Sequence, residues 1–598
     1  MARFCACLAD TTGQARAHLE AMGAPAPGHA PAAAPGAGLS LVTGEPGRAT
    51  GPFTAHGRTA VGEVTLHNRP VLLAALAAGA SATAPPPPDC PDGELLLHCW
   101  ALLGDAGVAL AEGMFALAVS DGPDLVLIRD HVGARTLYYA RADGAWAAST
   151  SLRALRRWPA LGTSVNLSAV RSFLTFAYLP GEETLLTGVR EVLPGRVLRL
   201  ARDGRVTETV HWEPREVVDA PGPVPDDPTG HVLALRALLE QATAVRLPAA
   251  EPAAVLLSGG IDSSLVTALA AKLHSHPVHT YSISFGDDLP NELGYSGLVA
   301  SHCHTRHRIL NVSGAAVAAR LAEAAALLDS PVGDPLTVPN LMLAEAVAAD
   351  GASVVLNGEG GDPVFGGPKN LPMLVQEMHR TPGAPWDEDR ATAYLRSYRK
   401  CWTDLPVLLT APALDALRDA PPLERHVEPY LLPEAEGGSP YAMAHLLNRL
   451  LHCNLRTKGA HHILTKVERL TASQGVEGRS PLFDRAVVDH AFATPPGYKL
   501  RGTAEKWILK EAVRDLLPGT VVDRPKSGMR VPVQQWLSGP LRDLGRELLL
   551  GRRSRERGLF RPETIRTWLK GEGTLLPRQG GKLWLVLTLE LWLRSYDV

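Results

Sequence analysis

The sequence predicts an α/β protein in two parts: an α/β sandwich, then a doubly wound parallel sheet that ends in helices. Three observations carry this. Ala253 to Leu257 is an apolar run of strand length that enters a Gly-rich turn, Ser258-Gly259-Gly260, and then a helix-periodic segment through Leu265, Val266 and Leu269. Ser353 to Asn357 repeats the pattern and runs into Gly358-Glu359-Gly360-Gly361-Asp362. Between them, Val278 to Phe285 reads as a strand and Ala315 to Leu328 and Leu341 to Ala349 as helices, a β-α-β-α alternation.

In chain order, Ala24 to Gly38 is low in complexity and reads as a loop, and Ala84 to Gly93 is a stiff Pro-rich connection. Ala60 to Leu66 and Leu125 to Arg129 alternate like strands, with a helix near Glu94 to Leu103. Asp219 to Gly230, rich in Pro, Gly and Asp, reads as a linker (219–230) between a domain over 1–218 and one over 231–598. His231 to Leu247 carries apolar residues at helical spacing and leads into the 253–257 strand. Beyond Gly367 the chain is mostly helical, and Trp584 and Trp592 lie on an apolar helix expected in the core.

Composition narrows the function. A net charge of −3 gives no field for nucleic acid or an anionic membrane, and no apolar run reaches membrane-spanning length. The start, MARFCACLAD, is not a secretory signal, and the seven cysteines form no CxxC pair, so a reducing cytoplasm is expected.

The chemistry concentrates on the two Gly-rich turns. A strand, a Gly turn and a helix start aim backbone N–H groups and a helix dipole at one point, a phosphate site built from Leu257, Ser258, Gly259, Gly260, Asp262, Ser263 and Ser264. No Lys follows the glycines, and an acid among phosphates needs a bridging cation, so Asp262 implies Mg2+. Parallel strands deliver their C-terminal ends to one edge, which makes Asp262 and Asp362 a metal pair. Within Ala504 to Val513, read as one helix, Lys506 and Lys510 fall one turn apart on one face, and Lys526 sits in a basic turn, Arg524-Pro525-Lys526-Ser527-Gly528. His445, His452, His461 and His462 lack ligand spacing and read as structural.

SGGIDSS together with GEGGDPVFGG resembles the asparagine synthetase family, ATP pyrophosphatases that activate a carboxylate as its acyl-adenylate, release pyrophosphate and let an amine attack. GEGGDPVFGGPKNLPML, FLTFAYLPGEETLLTGVREVLPG and GGKLWLVLTLELWLR resemble lasso peptide cyclases in particular, and Gly475 to Asp484 resembles the family's GVEARVPFLD with Gly478 and Ser480 as departures. Gly113 to Ala140 resembles the Ntn-type glutamine amidotransferase domain that precedes the synthetase, so the likeness runs from about Leu102 onward. It implies ATP and Mg2+ as cofactors, Ser282, Ser284 and Gly358 beside the nucleotide, Lys506 on the phosphates, and Lys526 on the oxyanion formed as the amine attacks. Glu359 deprotonates or orients the attacking ammonium in one reading and stabilises its loop in another.

The resemblance also implies a precursor peptide as substrate, closed into a ring between its amino terminus and an Asp or Glu side chain, with a leader-binding protein and a leader peptidase as partners. An asparagine synthetase, a β-lactam synthetase and a silent peptide-binding paralogue are the alternatives. Amidotransferase chemistry needs a terminal cysteine whose own amine acts as base. Residue 2 is Ala, and Cys5 and Cys7 read as small hydrophobes of a first strand, so an inactive glutaminase is expected. β-Lactam synthetases usually carry Tyr in place of Glu359, and the retained Asp262 and Asp362 argue against the silent paralogue.

Overall fold

The structure is a computed structural model that describes residues 4–23, 32–34, 37–41, 51–79, 86–162, 164–216, 227–286, 292–367, 371–379, 388–398, 400–432, 445–526, 528–571 and 581–598. Its contacts divide the chain into two units: Met1–Asn166 with Gly181–Glu213 and Val598, and Leu167–Pro180 with Pro214–Asp597. Leu167–Pro180 therefore groups with the second unit, apart from the expected 1–218 division. Most of the expected linker, 219–226, lies outside the described residues, and its last two residues already belong to the helix Thr229–Ala244.

The first unit is an αββα sandwich of two six-stranded antiparallel sheets. Phe4, Leu8, Val61, Leu125, Leu137 and Leu198 are among the side chains that fill the space between the sheets. Helices Arg69–Gly79 and Asp92–Leu103 bury a second apolar layer, including Leu72, Leu95, Leu96 and Phe115, on the outer face of one sheet. The strands expected near 60–66 and 125–129 are Arg58–Leu66 and Asp124–Arg129. Ala24 to Gly38 departs from the loop expected there: Ala32–Ala34 and Ala37–Leu41 are strands, the latter paired with Phe4–Leu8, while 24–31 lie outside the described residues. Main-chain pairing with the neighbouring strand brings this Ala-rich sequence into the sheet.

The second unit is built on a parallel sheet of five strands in the order Arg306–Asn311, Val278–Ser284, Ala253–Leu256, Val354–Leu356, Glu477–Arg479. The winding reverses between Ala253–Leu256 and Val354–Leu356, so the crevice at their C-terminal ends is where a doubly wound sheet takes its ligand. Both Gly-rich turns leave from these two strands. Helices Ile261–Leu273, Leu293–His302, Gly314–Leu327 and Thr337–Ala349 make the crossovers. Further along, Phe176, Tyr178, Tyr394, Leu431 and Leu450 share an apolar cluster of helices, and Trp584 and Trp592 are fully buried. Among the described residues no helix is long and apolar enough to cross a membrane.

Candidate active site at the reversal of the sheet

The first turn is braced by its own hydroxyls. Ser258 N–H donates to Ser263 Oγ at 3.1 Å, the two serine hydroxyls lie 3.0 Å apart, and Ser263 Oγ donates to Gly260 O at 3.2 Å. Gly259 adopts φ +80° with the helix Leu293–His302 against it; a Cβ there would lie 2.6 Å from Ser296 N, so only glycine fits. The second turn is tied by Asn357, whose Oδ1 accepts from Glu359 N–H at 3.0 Å and from Ser480 Oγ at 2.8 Å. The two turns press together: a Cβ on Gly358 would lie 2.4 Å from Ser263 N.

That contact brings the acids to one place. Lys506 Nζ donates to Asp262 Oδ1 and Oδ2 at 2.8 and 2.6 Å and to Asp362 Oδ1 at 2.6 Å; Lys526 Nζ donates to Asp262 Oδ2 and Asp362 Oδ1 at 2.8 Å each. Burial alone would raise both carboxyls, but the two ammoniums outweigh it and hold Asp262 below, and Asp362 well below, the usual carboxylate range. Burial would likewise lower Lys526, yet the two aspartates raise it well above an ordinary lysine. The Lys526 side chain is 21% exposed and that of Lys506 0%. Lys526 is positioned by its N–H, which donates to Glu505 Oε1 at 2.9 Å, and the neighbouring Arg524 guanidinium pairs with Glu292 and stacks 4.0 Å from the Tyr295 ring.

A cavity of about 320 Å3 opens beside this cluster, lined in part by Leu257, Ser258, Gly260, Asp262, Ser263, Ser282, Gly358, Glu359, Asp362 and Lys526. Three expected residues stand back from it. Gly259 serves the packing of the turn, Ser264 is buried beneath it, and Ser284 accepts from Gly286 N–H at 3.2 Å. Lys506 also lies off the cavity wall, and the single helix expected over 504–513 is corrected: Ala504–Glu505 is a strand, Lys506 has left-handed backbone (φ 54°), and the helix is Trp507–Ala512. Lys510 points elsewhere, its Nζ 3.4 Å from Arg524 O. Of the four histidines, His445 meets Glu216, His452 packs on Tyr430 and Phe492, His461 is buried, and His462 stacks on Tyr178.

Sequence reasoning missed Asn357, whose only signal was its place at the end of the strand. It missed Asp334 and Lys466 as well. Lys466 lines the cavity and pairs with Asp334 at 2.5 Å, although its sequence neighbourhood, LTKVERL, reads as an amphipathic helix. Among the described residues no cluster of three or more His, Cys, Asp or Glu is placed to hold a metal. Two aspartates converging on the same ammoniums are nevertheless a hard, all-oxygen pair that suits Mg2+ shared with substrate phosphates.

A switch-point crevice with a hydroxyl-braced Gly turn, two converging acids and two converging lysines defines an enzyme that handles nucleotide phosphates. Residues 234–594 match the model of the family described as Asparagine synthase, and 89–212 match the Glutamine amidotransferase domain. The chain belongs to the asparagine synthase family and is an ATP-dependent carbon–nitrogen ligase with an amidotransferase-like first domain. A putative asparagine synthetase (glutamine-hydrolyzing) of Mycobacterium tuberculosis is 29% identical over 495 residues, 75% of this chain and 71% of that protein. Asparagine synthetase (glutamine-hydrolyzing) 1 of Bacillus subtilis is 23% identical over 521 residues, 84% and 80% of the two chains. Carboxyethyl-arginine beta-lactam-synthase of Streptomyces clavuligerus is 29% identical over 512 residues, 84% and 77%.

Proposed function

We propose that this ligase is a peptide macrolactam synthetase of the lasso cyclase kind. It adenylates an Asp or Glu side chain of a precursor peptide, closes an isopeptide bond with the peptide's amino terminus, and releases AMP and pyrophosphate. The observation that carries the activation step is the four-group cluster of Asp262, Asp362, Lys506 and Lys526 at the reversal of the sheet. Held by the two carboxylates, Mg2+ would neutralise charge on the departing pyrophosphate. Lys526, on the cavity wall, is available to the oxyanion of the second step.

Support for a substrate-borne amine over ammonia comes from the first unit. Cys5 and Cys7 are buried in the strand Phe4–Leu8, and burial pushes both thiols up to about 12, the opposite of an activated nucleophile. A leader-binding protein and a leader peptidase are the partners that a leader-free peptide requires. The Streptomyces relative favours a second reading, ring closure within a small β-amino acid.

The test is direct. Protein, ATP, Mg2+ and the leader-free peptide are expected to give a product lighter by one water, resistant to carboxypeptidase, with AMP and pyrophosphate formed and no glutamate released from added glutamine. Conversion of aspartate to asparagine, or cyclisation of small β-amino acids alone, would give the function to the alternatives.

A further inference from the structure

Lys466 and Glu359 line the cavity and take no part in the aspartate–lysine cluster. Lys466 lies in the helix Thr465–Ala472, directly after a π-helical run, Leu455–Leu464, of a kind that is rare and frequent at functional sites. Its Nζ donates to Asp334 Oδ2 at 2.5 Å, and Asp334 is itself fixed, because its Oδ1 accepts from Leu336 N–H at 3.0 Å ahead of the helix Thr337–Ala349. Of the three donors of this ammonium the described residues engage one. Burial would lower the Lys466 ammonium, but Asp334 and Glu359 outweigh it and raise it, so it is charged at neutral pH. Glu359 lines the same cavity from the second turn; its N–H is tied to Asn357, while its carboxylate accepts no hydrogen bond from the described residues. Opposite charges with open hydrogen-bonding capacity thus share one cavity.

We infer that Lys466, held in place by Asp334, binds the substrate carboxylate that is to be activated, in the same cavity as Glu359, which the sequence already offers as the group that orients the attacking ammonium. This rests on the ligase reading above. A carboxylate approaching the α-phosphate of ATP is an anion approaching an anion, and Lys466 stands outside the cluster in which Lys506 and Lys526 pair with the two aspartates. A third cation on the carboxylate's own side offsets that repulsion. One carboxylate oxygen bonds to the α-phosphorus, the bond to the bridging oxygen breaks, and pyrophosphate leaves with the electron pair; Lys466 touches the oxygen that does not attack. The ammonium then gives one proton to Glu359, its nitrogen bonds to the acyl carbon, AMP leaves with the C–O pair, and the second proton passes to solvent. A substrate carrying both an amine and a carboxylate is what such a pair selects.

The experiment is carboxylate-dependent ATP–pyrophosphate exchange by the full chain, with a pool of short peptides that each have a free amino terminus and one Asp or Glu. Lys466→Met is expected to raise the peptide concentration for half-maximal exchange at least tenfold and to leave that for ATP unchanged, with Lys466→Arg recovering most of the loss. Because Lys466→Met strands Asp334, the double variant Lys466→Met/Asp334→Asn is assayed beside it, with thermal unfolding followed for each. Unchanged peptide half-saturation in the folded double variant overturns the inference and leaves the ligase reading standing. Absence of peptide-dependent exchange by the wild-type protein across the pool overturns the peptide reading, and the inference with it.

Discussion

Asp262 and Asp362 each accept from two ammoniums, and Asn at either position keeps the shape while removing the charge that pairs with both lysines. Asp262→Asn and Asp362→Asn are each expected to abolish substrate-dependent pyrophosphate release with little change in fold, checked by a coupled pyrophosphate assay and circular dichroism. The two lysines differ in a way that separates their variants. Lys506 is fully enclosed, so Lys506→Met leaves the buried Asp262 carboxylate and the partly exposed Asp362 carboxylate with Lys526 alone and is expected to lower stability, read from urea unfolding. Lys526 reaches the cavity, so Lys526→Met is expected to fold and form adenylate, and to lose about 2.7–4 kcal/mol of barrier lowering in the attack of the amine, as other oxyanion donors do. Single-turnover measurement of the two half-reactions checks it; equal loss in both places Lys526 on the phosphates. The aspartates were legible from their place after Gly-rich turns. Lys466 was not, because a lysine four residues from His462 on a helix looks the same whether it faces solvent or a cavity.

At the scale of the elements, the site depends on how closely two turns approach. Gly358→Ala puts a methyl 2.4 Å from Ser263 N, main chain that cannot give without moving the phosphate turn. The expected result is loss of ATP binding by titration calorimetry together with about 1–3 kcal/mol of destabilisation, the usual cost of overpacking. The strands that carry these turns were visible as apolar runs, since a central parallel strand is buried on both faces. Two partners in the same sheet were not. Arg306–Asn311 is an edge strand with half-buried or exposed side chains throughout, and Glu477–Arg479 has no β-forming residue; each is a strand because its main chain completes the ladder of its neighbour.

Across the second unit as a whole, stability is coupled to pH through a lysine that lines a small pocket beside Lys506. Lys499 is buried, its Nζ donates to Asn448 Oδ1 at 2.6 Å and lies 5.0 Å from the Phe492 ring, and burial lowers it to about 7 despite the opposing charge of Glu216. Between about pH 7 and pH 10 the unfolded chain holds a proton there that the native chain has released, so stability rises with pH, by up to about 1.4 kcal/mol per unit. Below pH 7 both states are protonated and the slope vanishes. Lys499→Met is expected to remove that slope, and urea unfolding of both proteins at pH 7, 8 and 9 measures the difference.

The path of the chain has a consequence for recombination. It leaves the first unit at Asn166, returns at Gly181 and leaves again at Glu213, so the segment 167–180 belongs to the second unit although it precedes the last three strands of the first. Phe176 and Tyr178, each 1% exposed, sit in that segment and in the apolar cluster of Tyr394 and Leu450. A single crossover at the Pro-rich stretch near 219–230, the natural place to trade first domains between relatives, therefore exports two aromatic side chains with the wrong cassette. Exchange that keeps this core whole needs breakpoints on both sides of 167–180, so the two halves of the ligase are expected to evolve as one inherited piece.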